Sequence, residues 1–124
     1  MVISFEDLQM NDTSPIYMQI LLYIKRGAVA GTIADGDELP SRRTLSALLG
    51  VNPNTVQKAY RMLEEEGLIR SHAGAKSYMV LEEGTVARIR GELLEEDARE
   101  AVNKLRQMGV SMDEALDLIR RYWN

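Results

Sequence analysis

The tetrapeptide Gly50-Val51-Asn52-Pro53 separates two amphipathic runs and forces a tight turn between them. Gly50 ends the preceding helix because it accepts the left-handed backbone that a C-terminal cap needs. Asn52 caps the next helix, and Pro53 suits its first position, where a missing N–H costs nothing. Before the turn, Leu39-Pro40-Ser41 opens a helix with Ser41 as its cap, and Leu45, Leu48 and Leu49 share one face. Val51 is the apolar plug of the turn. After it, Val56, Ala59, Tyr60 and Leu63 form a buried stripe, which leaves Asn54, Thr55, Gln57, Lys58 and Arg61 on the other faces.

Gly67 stops the second helix. Leu68-Ile69-Arg70 and Ser77-Tyr78-Met79-Val80 have strand composition, with Ala73-Gly74-Ala75-Lys76 as the turn between them. Helix, turn, helix and hairpin together make a winged helix-turn-helix from Leu39 to Val80. The polar end of its second helix suits the major groove of DNA. Amide side chains bond adenine edges in pairs, and lysine reaches guanine acceptors or phosphates. The free N–H groups of that helix end also favour a phosphate. Asn54, Gln57 and Lys58 are the candidate readers of base edges, with Asn52 at the same end. Arg42, Arg43, Thr55, Arg61, Arg70 and Lys76 are candidates for phosphate or wing contacts, and His72 and Gly74 lie on the wing beside them.

A net charge of −4 over 124 residues argues against nucleic acid until its distribution is considered. Leu39 to Val80 holds six Lys and Arg against three Glu, a local charge of +3, and the remainder carries −7. Such segregation is compatible with docking on DNA. No cysteine is present, so a disulfide framework and a thiolate metal site are both excluded. No apolar run approaches the roughly 20 residues of a membrane span. The acidic start, MVISFEDLQMND, lacks the pattern of a secretory signal, so a cytoplasmic protein is expected.

Residues Met1 to Asp12 read as a short extended arm whose Val2, Ile3 and Phe5 either pack on a neighbour or fray. Ser14-Pro15 opens a first helix with Ser14 as cap, carrying Ile16, Ile20, Tyr23, Ile24 and Gly27 on one face and ending near Gly31. Asp35-Gly36-Asp37 is a turn, and Glu38-Leu39 adds a short strand beside the wing. Glu82-Glu83-Gly84 reads as a joint, so residues 1–81 form the DNA-binding domain with its arm and 82–124 a helical tail. Thr85 to Met108 is one helix. Gly109 breaks it, and Ser111 with Glu114 makes the capping box of a last helix. The fold class is thus mainly α with a small β wing, followed by a two-helix hairpin. The hairpin's apolar stripes, with Val86, Ile89, Leu93, Leu94, Ala101, Leu105, Leu116, Ile119 and Trp123, require a cover. Packing back on the DNA-binding domain is one solution. A two-fold homodimer is preferred, since it doubles operator contact.

These residues, in order, resemble the DNA-binding domain of the GntR family of bacterial regulators. The likeness rests on Pro15-Ile16-Tyr17 with Gln19-Ile20, on Gly36 followed by Leu39-Pro40-Ser41-Arg42-Arg43, and on Gly50 to Val56. Ala59-Tyr60, Leu63-Glu64 and Glu66-Gly67-Leu68-Ile69 continue it. The Asn-Pro-Asn-Thr-Val run and the short tail resemble the YtrA subfamily. The wing departs from the family pattern, Gly-x-Gly, because Gly74 is followed two positions on by Lys76. The resemblance implies a repressor, often of neighbouring transporter genes, and implies that Arg43 contacts DNA. It leaves any small-molecule effector unnamed.

Two rival readings fare worse. Catalysis would have to be built around His72, the one histidine, and no nucleophile, base and oxyanion donors converge with it. A zinc site wants several His or Cys ligands, so neither a metal nor a cofactor is expected. The second rival is a winged helix that binds protein and never touches DNA. The exposed side of the second helix carries no aromatic anchor of the kind that dominates protein interfaces, which favours DNA.

Overall fold

A computed structural model describes residues 1–72 and 76–124. Its elements run α1 (Ile16–Ala30), β1 (Glu38–Leu39), α2 (Arg42–Leu49), α3 (Pro53–Glu65), β2 (Ile69–Ser71), β3 (Ser77–Met79), α4 (Glu83–Gln107) and α5 (Met112–Tyr122). They fall into two compact units, residues 1–90 and 91–124, divided inside α4.

The first unit is organised around α3, which packs on α1, α2 and β2. Val56, Ala59, Tyr60 and Leu63 are fully buried, and Ile20, Ile24, Leu45, Leu68 and Ile69 complete the core. Each large side chain so buried contributes about 1.5–3 kcal/mol. The helix ends are set locally. Ser41 Oγ accepts from the Thr44 N–H at 3.0 Å, and Asn52 Oδ1 accepts from the Asn54 N–H at 2.8 Å. Gly50 closes α2 at φ 68°, in the left-handed region.

The sheet has the order β1-β3-β2 and is antiparallel, with Glu38 opposite Tyr78 and Ile69 opposite Met79. The anticipated strand at Glu38-Leu39 thus pairs with the wing rather than standing apart. Alternation along β2 buries Ile69 and exposes Arg70 and Ser71.

Ser14 does not cap α1. Pro15 takes the cap position without a side-chain bond, and Gln19 supplies the polar anchor instead. Buried at 8% exposure, its Nε2 donates to the carbonyls of Asn11 and Ser14, both at 2.8 Å, and its Oε1 accepts from the Asn11 N–H at 3.0 Å. Gly27 marks a close approach at the other end of α1: a Cβ there would stand 2.5 Å from Ile33 Cδ1. Lys25 and Glu66 pair at 2.9 Å, joining α1 to the end of α3.

The N-terminal arm docks on its own chain. Ile3 and Phe5 are buried. The Ile3 N–H donates to Glu38 O and the Glu38 N–H donates to Met1 O, each at 2.8 Å, while Val2 bridges Glu38 in parallel. The rings of Phe5 and Tyr23 lie 5.0 Å apart.

Helix α4 begins at Glu83, so Gly84 lies in its first turn and Glu82-Glu83-Gly84 is not an open joint. The Val86 N–H already donates to Glu82 O at 3.0 Å. A glycine is tolerated there because the first-turn N–H groups need no helical partner. In the second unit, Gly109 ends the α4 segment at φ 73°, and Ser111 Oγ accepts from the Glu114 N–H at 3.2 Å. No residue of α5 is buried. Among the described residues no helix is long and apolar enough to cross a membrane.

Candidate nucleic-acid interface

The buried stripe of α3 fixes which side chains it turns outward. Asn54, Gln57, Lys58 and Arg61 are exposed, and Thr55 is half-buried. The turn at Gly50 sets the angle between α2 and α3, and the Val51 N–H holds it by donating to Ser46 O at 3.0 Å. The first turn of α3, with its free N–H groups and positive dipole end, lies beside Arg42 and Arg43 of α2. Arg43 is exposed and Arg42 half-buried.

The cations differ in how they are held. The Arg42 guanidinium carbon stands 5.2 Å from the centroid of the Tyr60 ring, and Arg42 Nε donates to Gln57 Oε1. Tyr60 is itself locked, its hydroxyl donating to Pro40 O at 2.7 Å. Burial pushes the Tyr60 phenol well above its ordinary value, against a smaller opposing effect of Arg42. On the flank toward α1, Lys58 Nζ sits 3.9 Å from the Tyr17 ring centroid. Arg61 Nε reaches Glu65 at 4.0 Å, one turn on. That pair is exposed and worth little, so Arg61 can exchange it for a phosphate.

On the wing, Arg70 is exposed. The His72 and Tyr78 rings meet edge to face at 5.4 Å, and Lys76 Nζ lies 3.8 Å from Glu38 Oε1. The His72 N–H donates to Lys76 O at 2.9 Å, closing the hairpin below its tip. Gly74 lies outside the described residues.

The candidate residues therefore gather in three groups: Arg42, Arg43, Asn54 and Gln57 at the α2–α3 junction, Lys58 and Arg61 along α3, and Arg70, His72 and Lys76 on the wing. Asn52 serves its helix, its side-chain oxygen being taken by the cap. Sequence reasoning passed over Tyr17 and Tyr60 as the aromatic rests of Lys58 and Arg42. Tyr60 was legible as core, but an edge shared with a cation from another helix leaves no local signal.

Of the residues assigned to an apolar interface, Ile89 and Leu93 are covered within the chain itself. Val86, Leu105 and Leu116 are half-covered and Ala101 is exposed. Leu94, Ile119 and Trp123 are exposed, Trp123 at 79%. Ala98, Ala101, Val102, Leu105, Leu116 and Ile119 line an apolar groove of about 500 Å³ within the second unit.

Comparison with known proteins agrees with this geometry. Residues 16–78 match the family described as bacterial regulatory proteins, gntR family. The chain is 32% identical over 110 residues to the HTH-type transcriptional repressor YtrA of Bacillus subtilis (strain 168), covering 87% of this chain and 84% of that protein. A GntR family transcriptional regulator from Listeria monocytogenes superposes with a TM-score of 0.78 at 28% identity, over 90% of this chain and 98% of that one. YtrA from Sulfolobus acidocaldarius, a GntR-family transcription factor, superposes with a TM-score of 0.57 at 33% identity, over 77% of this chain and 99% of that one.

Proposed function

Since the chain belongs to the gntR family of bacterial regulatory proteins and is a DNA-binding transcription regulator rather than an enzyme, we propose that it acts as a cytoplasmic homodimeric repressor of a palindromic operator. The observation that carries this reading is the outward face of α3. Asn54 and Gln57 are exposed at its first turns beside the Arg42–Arg43 pair, while its opposite face is fully buried. Two such helices, related by a two-fold axis, would enter major grooves about 34 Å apart.

In this reading Asn54 and Gln57 meet base edges, with Lys58 long enough for a base or a phosphate. Arg43, Thr55, Arg61, Arg70 and Lys76 meet the backbone, and His72 lies beside them on the wing. Residues 1–81 do the reading and 82–124 the pairing. The exposed Leu94, Ile119 and Trp123 support a second copy as cover for the tail, because large apolar side chains gathered on short helices mark an interaction surface. Repression, and control of neighbouring transporter genes, rest on the likeness to YtrA-type regulators. An effector of unknown chemistry is compatible with the dimer.

The test is retardation of duplexes selected from a random pool, with sedimentation of the free and bound protein. Selection of an inverted repeat bound by two chains is the expected result. A single half-site bound by one chain would overturn the dimer. No selectable sequence would overturn base reading by α3.

A further inference from the structure

Gln57 faces the solvent from the second turn of α3, but its amide is not free to turn. Its Oε1 accepts from Arg42 Nε. A guanidinium has donors and no acceptor, so the oxygen of the amide, and not its nitrogen, must face Arg42. Arg42 is fixed in turn by the Tyr60 ring, 5.2 Å from its guanidinium carbon. Tyr60 is fully buried and anchored through its hydroxyl on Pro40 O at 2.7 Å. The sequence Pro40, Tyr60, Arg42, Gln57 is thus a chain of supports that orients one side chain before any duplex arrives.

We propose that Arg42 and Gln57 act as a single donor-only reader and that the base they select is guanine. A lone glutamine reads adenine in pairs, accepting from its N6 amino group and donating to N7. Here the accepting half of that pair is already engaged. An adenine amino group approaching Oε1 would meet the guanidinium N–H groups that hold it. What remains is the Gln57 NH2 and the outer N–H groups of Arg42, all donors. Guanine alone offers two acceptors, N7 and O6, on its major-groove edge with no donor between them. Adenine and cytosine present a donor there and thymine a single acceptor. Arg42 is in this scheme the residue that sets the specificity of Gln57, and it adds its own donors to the same base.

The proposal rests on the reading that α3 enters the major groove, and the test separates the two. Duplexes bound by the full chain are selected from a random pool. The selected site is then remade with each of the four base pairs at every position and measured with wild type, Gln57→Ala and Arg42→Met. Methionine keeps an apolar stem over Tyr60 and removes every donor. The position where Gln57→Ala loses discrimination is the one Gln57 faces. Wild type should prefer guanine there over adenine by on the order of tenfold. Arg42→Met should erase that preference or turn it toward adenine, with unchanged preferences at positions remote in the site. Adenine preferred by wild type, a guanine preference that survives Arg42→Met, or no position sensitive to Gln57→Ala would each overturn the proposal. A wild-type chain that selects no sequence at all would overturn the base-reading function itself.

Discussion

Replacing Gly50 isolates the backbone that joins the two helices of the DNA-binding motif. The residue sits at φ 68° and ψ 36°, and a Cβ placed on it would meet nothing within 4 Å. A larger residue therefore has room, and its cost comes from the left-handed conformation alone. That conformation costs an ordinary L-residue about 1–2 kcal/mol. Asparagine visits it more readily because its short polar side chain bonds locally. Valine, branched at Cβ, suffers most. The expected order of destabilisation is Asn, then Ala, then Val, although Asn is larger than Ala. For a domain of this size 1 kcal/mol moves the melting temperature by about 4 °C. Gly50→Ala should thus lower Tm by about 4–8 °C, and Gly50→Asn by distinctly less. Thermal melts followed by far-ultraviolet circular dichroism give the answer. Losses that follow side-chain volume, or three equal melts, would refute the argument from backbone conformation.

Three further outcomes follow from the packing. Gln19→Ala removes the side chain that holds Asn11 and Ser14, leaving a buried amide and carbonyl unpaired, and should cost about 2 kcal/mol in urea unfolding. Ile119→Asp, at a residue 47% exposed in the single chain, should dissociate the homodimer in sedimentation while leaving the far-ultraviolet spectrum intact; an unchanged dimer would assign the interface elsewhere. Burial raises the Tyr60 phenol above its ordinary value of 10.0, so the stability it contributes is complete below that pH and is lost as pH climbs through the folded value. Tyr60→Phe should therefore flatten the decline in stability above pH 10, the ordinary value.

What could be read in the sequence was local. Ser41, Gly50, Asn52 and Gly109 announce helix ends because a cap is satisfied within three or four residues. Val56, Ala59, Tyr60 and Leu63 announce a face because helical periodicity repeats within one element. What escaped depends on distant partners. The arm's docking comes from a bridge between Val2 and Glu38, 36 positions apart, and nothing near Val2 specifies it. Ser14 looked like a cap because it precedes a proline, yet Gln19 reaches back from inside the helix and takes the anchoring role. Arg42 and Gln57 each looked like an independent contact. Only the fold of α2 against α3 brings the guanidinium onto Tyr60 and the amide into its reach. The start of α4 was misread for a simpler reason: Gly84 signals a break, but in a first turn its cost is small.

The central claim is that the first turns of α3 read bases while residues further along it hold the backbone. Base contacts carry sequence information, and phosphate contacts set affinity. The direct measurement is a salt titration of wild type, Asn54→Ala and Arg61→Ala on the selected operator and on a random duplex. Asn54→Ala should lose about 1–3 kcal/mol on the operator and little on random DNA, with an unchanged slope of log K against log salt. Arg61→Ala should weaken both duplexes alike and make that slope shallower by about 0.9. Equal losses on both duplexes for Asn54→Ala would contradict the claim and remove the first turns of α3 from the floor of the groove.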